Sequence, residues 1–89
     1  MVNRAFLISG CVQGVFFRDS TKKEALKLGL QGSAVNLSDG TVKVCLRGVS
    51  EDIDLLERWL HKGPELAKVE SVIEVDIDQQ LELNGFKVG

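Results

Sequence analysis

The sequence predicts an α+β domain in which two helices pack on one face of an antiparallel sheet. Three observations predict it. Two segments have apolar residues at helical spacing, whereas four have the short or alternating apolar pattern of strands, and the order is βαββαβ. Each helical segment is apolar on one side only, so each must cover other apolar surface. The 89 residues suffice for one small core, which predicts one domain over residues 1–89.

The predicted strands differ in how they are covered. They lie at residues 4–9, 32–37, 41–47 and 69–78, with a further short strand at residues 86–88. The first strand is apolar on both faces, as a central strand is, whereas the third alternates with Val42, Val44 and Leu46 toward the core. Asp39-Gly40 signals a hairpin between the second and third strands. An acidic row in the fourth strand is assigned to a solvated face, and it consists of Glu74, Asp76 and Asp78.

The two predicted helices have recognisable ends. The first, at residues 19–28, is followed by Gly29, because glycine readily adopts the left-handed conformation after a helix cap. The second begins at Ser50, which we assign as its N-cap, and it ends before Gly63-Pro64. Its predicted buried stripe consists of Ile53, Leu56, Trp59 and Leu60. Packing both helices on one face of the sheet gives the ferredoxin-like arrangement.

Composition excludes several classes of protein. Eleven basic and thirteen acidic residues give a net charge of −2, which argues against a general nucleic-acid binder. No apolar run approaches the ~18–20 residues that cross a bilayer, and the N-terminus does not resemble a signal peptide. Two cysteines, Cys11 and Cys45, and one histidine, His61, form neither a disulfide framework nor a zinc site. We expect a cytoplasmic monomer without metal or other cofactor and without a membrane or nucleic-acid partner.

The segment GCVQGVFFR, residues 10–18, indicates an anion site. Its glycines let backbone N–H groups converge, and the start of the following helix adds further unpaired N–H groups. Arg18 opposes the helix dipole there unless an anion is bound or Asp19 caps the helix beside it. The alternative is a turn that only reverses the chain. In either case we expect the apolar residues to pack rather than to contact a ligand, with some of them beneath the loop, and these are Val12, Val15, Phe16 and Phe17.

This segment resembles the acylphosphatase signature G-x-V-Q-G-V-x-F-R, with all seven fixed positions of nine matched. A second family signature is similar to Gly32-Ser33-Ala34-Val35-Asn36 followed by Gly40-Thr41-Val42. The resemblance implies the ferredoxin-like fold and metal-free hydrolysis of acyl phosphates to a carboxylate and inorganic phosphate. It implies that Asn36 positions the attacking water. It also implies a phosphate-binding loop, formed by Gln13, Gly14, Val15, Phe16, Phe17 and Arg18.

The implied chemistry fits the residues present. Phosphoryl transfer depends mainly on positioning and on charge stabilisation, and a carboxylate with a pKa of about 4 leaves without a general acid. Two roles stay open from the residues alone. Asn36 could instead bond its own backbone near the hairpin, and Thr21 could either hold the Asn36 amide or simply occupy a helix face.

Two departures from the family pattern motivate a different class of function. Ser33 replaces an aromatic residue and Val35 a frequent basic one, although alternation places both on the face away from Asn36. The alternative function is a non-catalytic anion-binding or regulatory domain. An RNA-binding module is a third hypothesis, which the absence of exposed aromatic residues on the third strand disfavours.

Overall fold

A computed structural model describes residues 1–89 and gives seven elements. They are β1 (Val2–Cys11), α1 (Phe17–Lys27), β2 (Gln31–Asn36), β3 (Val42–Gly48), α2 (Ser50–Lys62), β4 (Lys68–Val75) and β5 (Phe86–Val88). The strand order in the sheet is β4-β1-β3-β2-β5. The predicted ferredoxin-like fold is confirmed. The fifth strand pairs in parallel with β2, so the sheet is mixed, whereas all other pairs are antiparallel.

The core lies between the helices and one face of the sheet. Phe6 of β1 and Ala34 of β2 both pair with Val44 of β3. Because paired residues in an antiparallel sheet point to the same face, these side chains share the face that the helices cover. The cluster of buried apolar residues consists of Phe6, Ile8, Val12, Phe17, Ala25, Leu30, Ala34, Val42, Val44, Leu46, Ile53, Leu56, Leu60 and Phe86.

Helix α1 begins earlier than the sequence predicts. Its first helical residue is Phe17 and not Asp19, and its N-cap is Phe16 in a left-handed conformation with φ of 61°. Asp19 therefore lies in the first turn and is not a cap. The Phe17 ring is buried and its centroid lies 5.9 Å from that of the Trp59 ring. The early start places Arg18 within the first turn of the helix.

Helix α2 starts without a side-chain cap. Its N-cap is Val49 in an extended conformation, so the assignment of Ser50 as N-cap is wrong. Glu51 and Asp52 lie in the first turn, where their negative charge complements the helix dipole. The predicted stripe is buried except at Trp59, which is partly buried against the core. Neither helix of the protein is long and apolar enough to cross a membrane.

Strand β4 ends at Val75, three residues before its predicted end. Glu74, Asp76 and Asp78 are all exposed, as predicted, although the pairing of Glu74 with Phe6 places it on the side of the sheet that the helices cover. There Arg4 donates two hydrogen bonds of 2.9 Å to Glu74 and one of 2.6 Å to Asp54 of α2. The bonds from Arg4 lower the pKa of Glu74 below its usual range. They also raise the pKa of Arg4, with Glu74 contributing more than Asp54. Arg4 therefore joins β1, β4 and α2.

Strand β1 changes register just before the glycine segment. The pairing with β4 shifts between Ser9 and Gly10, which is a bulge. Gly10 has φ of 120°, and a Cβ there would lie 2.1 Å from the Lys68 carbonyl oxygen. Only glycine fits this conformation and this contact. The first glycine of the segment is therefore a packing requirement of the sheet.

Candidate active site

The loop between β1 and α1 presents unpaired backbone donors. Within it Gly14 has φ of 75°, and Phe16 is the protein's one non-glycine residue with positive φ. No backbone N–H group from Val12 to Phe16 donates a hydrogen bond within the protein. The first N–H groups of α1 add to these donors, because a helix leaves its first turn unpaired. The loop and helix start therefore have the donors that an anion requires.

Packing beneath the loop holds it in place. Val12 and Phe17 are buried, and Val15 is partly buried against the core. These three pack as expected, whereas Phe16 is 70% exposed, so its assignment as a packing residue is wrong. Its left-handed backbone turns the chain between the buried residues on either side and leaves the ring at the surface.

Gln13 ties the loop to the β2–β3 hairpin. Its Nε2 donates hydrogen bonds to the carbonyl oxygens of Leu37, at 2.9 Å, and Thr41, at 3.0 Å. The hairpin has its own support, because the Thr41 hydroxyl and N–H donate to the Asp39 carboxylate and lower its pKa. The Gln13 side chain thus bonds to the hairpin, which leaves only its backbone N–H for an anion.

Arg18 has no acidic side-chain partner. It is partly buried, its Nη1 donates to the carbonyl oxygen of Gly89, and it forms no ion pair. Arg4, in contrast, pairs with three carboxylates, those of Asp54, Glu57 and Glu74. With one backbone oxygen as its only partner, the Arg18 guanidinium retains N–H groups for a phosphate or carboxylate.

Asn36, the last residue of β2, donates a hydrogen bond to the same oxygen atom as Arg18. Its N–H donates to the Gly89 carbonyl oxygen at 3.2 Å, the same oxygen that Arg18 contacts. Asn36 pairs with Val42 on the helix-covered face, as alternation predicts. Its Oδ1 is the one buried side-chain polar atom without a hydrogen-bond partner. The alternative in which the side chain bonds its own backbone is therefore not observed.

Of the two alternatives for Thr21, the contact with Asn36 is not observed. The buried Thr21 hydroxyl donates to the Phe17 carbonyl oxygen at 2.8 Å, one turn earlier in α1, and not to the Asn36 amide. The reason is local, because a helical threonine hydroxyl readily bonds the carbonyl four residues before it. Thr21 therefore contacts the first turn of α1, which carries Phe17 and Arg18.

A pocket of about 240 Å³ opens at the loop. It is lined by Val12, Gly14, Phe16, Phe17, Arg18 and Asp19. Four of the predicted site residues thus meet there, and four lie outside the lining, namely Gln13, Val15, Thr21 and Asn36. Gly89 was missed, because its backbone carbonyl has no signal in the sequence. Val12 could have been found as a fixed position of the motif, and Asp19 as the residue that follows the motif's arginine.

The protein has no obvious metal-binding cluster. No group of three or more histidine, cysteine, aspartate or glutamate side chains is placed to hold a metal ion. Cys11 is exposed and Cys45 is partly buried, and both are free thiols. Cys45 pairs with Ala5 and Ser33, which places it on the face of the sheet away from the helices.

Comparison with known proteins identifies the family. The acylphosphatase family model matches residues 4–88. An acylphosphatase of Alkalilimnicola ehrlichii is 48% identical over 86 residues, which are 97% of this chain and 96% of that protein. The solved structure of an acylphosphatase from Coxiella burnetii is 38% identical with a TM-score of 0.90, and the match covers 99% of this chain and 92% of that one. An acylphosphatase structure from Bacillus subtilis is 27% identical with a TM-score of 0.86, over 100% and 99% of the two chains. The chain belongs to the acylphosphatase family.

Proposed function

We propose that the protein hydrolyses acyl phosphates without a metal ion, with Arg18 and the backbone of residues 13–18 holding the phosphate and Asn36 orienting the water. Membership of the acylphosphatase family supports the reaction, and the geometry supports the assignment of roles. One observation carries this assignment. Arg18, which has no acidic side-chain partner, and the backbone N–H of Asn36, whose buried Oδ1 is unpaired, bond to the same backbone oxygen of Gly89.

The phosphate is held by charge and by fixed N–H groups. Arg18 supplies two parallel donors in a plane, which match two phosphate oxygens. The loop N–H groups and the positive end of the α1 dipole add donors that need little reorganisation. Gln13 keeps the loop fixed against the hairpin through its side chain, and Thr21 supports the first turn of α1. In this proposal the phosphate binds without any metal ion.

Asn36 orients the nucleophile. Its Oδ1 accepts a hydrogen bond from the water, which fixes the direction of the water's lone pair toward phosphorus. The water oxygen forms the new P–O bond while the bond from phosphorus to the acyl oxygen breaks. The carboxylate leaves with the electron pair of that bond, and the water's proton passes to a non-bridging phosphate oxygen. No general acid is required, because the leaving carboxylate has a pKa of about 4.

The departures from the family pattern lie away from this site. Ser33 pairs with Cys45 and Val35 with Lys43, on the sheet face opposite to that of Asn36. The structure therefore offers no observation that favours the alternative of a non-catalytic anion-binding domain.

The test is hydrolysis of benzoyl phosphate and acetyl phosphate in the presence of EDTA. We expect turnover to survive the chelator. Arg18→Ala should lose phosphate binding and at least about 10²-fold in kcat/KM, whereas Asn36→Ala should lose turnover and keep phosphate binding. Matched controls are Arg58→Ala and Asn84→Ala, since both residues are exposed and lie outside the site. An active Asn36→Ala variant would contradict the role of Asn36, and loss of activity on chelation would contradict the metal-free reaction.

A further inference from the structure

We propose that Phe16 selects acyl phosphates with a bulky apolar acyl group, such as an aromatic one, over those with a small acyl group. This inference rests on the proposed function, because it assigns the acyl side of the same pocket. It concerns the Phe16 side chain, whereas the phosphate is assigned to the backbone of the loop and to Arg18.

The exposure of Phe16 is unusual for its residue type. Phenylalanine is among the residues most often buried, yet this ring is 70% exposed. Its backbone has φ of 61° and ψ of 22°, a left-handed conformation that is unfavourable for a bulky side chain. Such strain persists only where the surroundings impose it, and it is concentrated at ligand sites.

The neighbouring contacts impose this conformation. Phe17 is buried directly after it, and the Ser20 N–H donates to the Phe16 carbonyl oxygen at 3.0 Å. On the other side, Gln13 is anchored to the hairpin. The chain between these two anchors has little freedom, so the Phe16 ring is held at the rim of the pocket.

Phe16 provides the accessible apolar surface of the pocket. The three apolar side chains in the lining are Val12, Phe16 and Phe17. Val12 and Phe17 are each only 1% exposed, so a ligand meets little of them. Among the apolar side chains of the lining, Phe16 is therefore the one that is exposed to a bound molecule.

The chemistry of the substrate brings its acyl group to this ring. In an acyl phosphate the carbonyl carbon is joined to phosphorus through one oxygen, so a phosphate at Arg18 places the acyl substituent within the same small pocket. Arg18 and Phe16 line that pocket together. An aromatic acyl group would stack on the ring and remove apolar surface from water, whereas an acetyl group is too small to cover much of it.

The experiment compares kcat/KM for benzoyl phosphate with kcat/KM for acetyl phosphate. Phe16→Asn removes the ring with a residue that tolerates the left-handed conformation, and we expect it to lower this ratio about tenfold. Phe16→Tyr keeps the aromatic face and should keep the ratio. Leu66→Asn is the matched control, because Leu66 is 68% exposed and lies outside the pocket.

The outcomes separate this inference from the proposed function. A wild-type protein that hydrolyses both substrates, with the same ratio in Phe16→Asn, overturns the role of Phe16 and leaves the proposed function standing. A ratio that falls equally in Phe16→Asn and Phe16→Tyr also overturns it, since the aromatic face would then be irrelevant. A folded wild-type protein that hydrolyses neither substrate overturns the proposed function and this inference with it.

Discussion

The side chain of Gln13 supports the anion site while bonding only to the hairpin. It is a donor to two backbone carbonyl oxygens, those of Leu37 and Thr41. Because the carbonyl groups lie on the connection from Asn36 to β3, the bond fixes the distance between the loop and the strand that carries Asn36. Gln13 therefore links the two halves of the site.

Substitution of Gln13 should lower the free energy of unfolding, and the loss should depend on what replaces the Nε2 donor. Gln13→Ala leaves two partly buried carbonyl oxygens unpaired and should lower the free energy of unfolding by about 1–3 kcal/mol. Gln13→Glu should be worse at neutral pH, because it places a carboxylate against two acceptors. Urea unfolding of the three proteins measures this order, and a Gln13→Glu protein as stable as the wild type would contradict it.

For single residues, the sequence predicts the sheet face on which a side chain lies better than it predicts the side chain's hydrogen-bond partner. Alternation places Asn36 on the covered face, and the register confirms it. The partner of Thr21 was not predictable, because a threonine hydroxyl can reach its own helix as easily as a neighbouring strand. The exposure of Phe16 was not predictable either, because its apolarity suggests burial whereas its backbone conformation directs it outward.

Among the elements, the bulge in β1 leads to different predictions for Gly10, which lies in this strand, and Gly14, which lies in the loop that follows. In Gly10→Ala the new Cβ would lie 2.1 Å from the Lys68 carbonyl oxygen and 2.7 Å from the Glu70 nitrogen. We expect a loss of at least about 3 kcal/mol in the free energy of unfolding, because backbone must move.

Gly14→Ala is the matched control for this bulge. Gly14 has φ of 75°, but nothing lies within 4 Å of a Cβ placed there. Gly14→Ala should therefore lower the free energy of unfolding only by the cost of placing alanine in the left-handed conformation, about 1–2 kcal/mol. Chemical denaturation of both variants tests the difference, and equal losses would show that the contact with Lys68 is not decisive.

The ion pairs of Arg4 predict how acid affects the junction of β1, β4 and α2. The pKa of Glu74 is lowered in the folded protein. The ionised carboxylate therefore contributes to the free energy of unfolding above pH 4.5, the ordinary pKa of the group, and this contribution is lost as the pH falls through the lowered pKa. Because the Glu74 side chain is 47% exposed, the contribution should not exceed about 1 kcal/mol.

Glu74→Gln should therefore be less stable than the wild type at neutral pH, and the difference should shrink below pH 4.5. Urea unfolding across this range measures the difference, with Glu82→Gln as the control because Glu82 is exposed and unpaired. A difference that grows in acid would contradict the assigned ion pair.

The elements themselves follow from apolar periodicity, whereas their ends depend on contacts that periodicity does not contain. The end of α1 at Gly29 was predictable, since glycine has the left-handed conformation there. Its start was not, because a left-handed phenylalanine is a rare N-cap. The exposure of Glu74 was predictable, but its ion pair with Arg4 was not, because alternation within one strand does not show which distant residue lies beside it.

Over the whole molecule, one cluster of buried residues joins both helices to β1, β2, β3 and β5. The loop and Asn36 are therefore attached to the same core, and we predict that the protein unfolds in one cooperative transition. The cytoplasmic monomer expected from composition stays a prediction, because neither the fold nor membership of the family depends on it.

Phosphate should stabilise the whole protein if Arg18 binds it. At a phosphate concentration of about ten times Kd, binding to the folded state alone adds about 1.4 kcal/mol, which should raise Tm by roughly 5–10 °C for a domain of this size. Calorimetry measures the shift, with sulfate-free buffer and Arg58→Ala as controls. The shift should vanish in Arg18→Ala, and its persistence there would show that phosphate binds elsewhere.

The contact between Phe17 and Trp59 gives the protein an intrinsic optical reporter. The chain has one tryptophan and no tyrosine, so its ultraviolet fluorescence comes almost entirely from Trp59. The ring beside it, 5.9 Å away, belongs to the first residue of α1, next to Arg18. An anion that draws Arg18 and the start of α1 toward it would alter the surroundings of the indole. Ligand titrations can therefore follow the emission of the unlabelled protein, with no dye or coupled reaction.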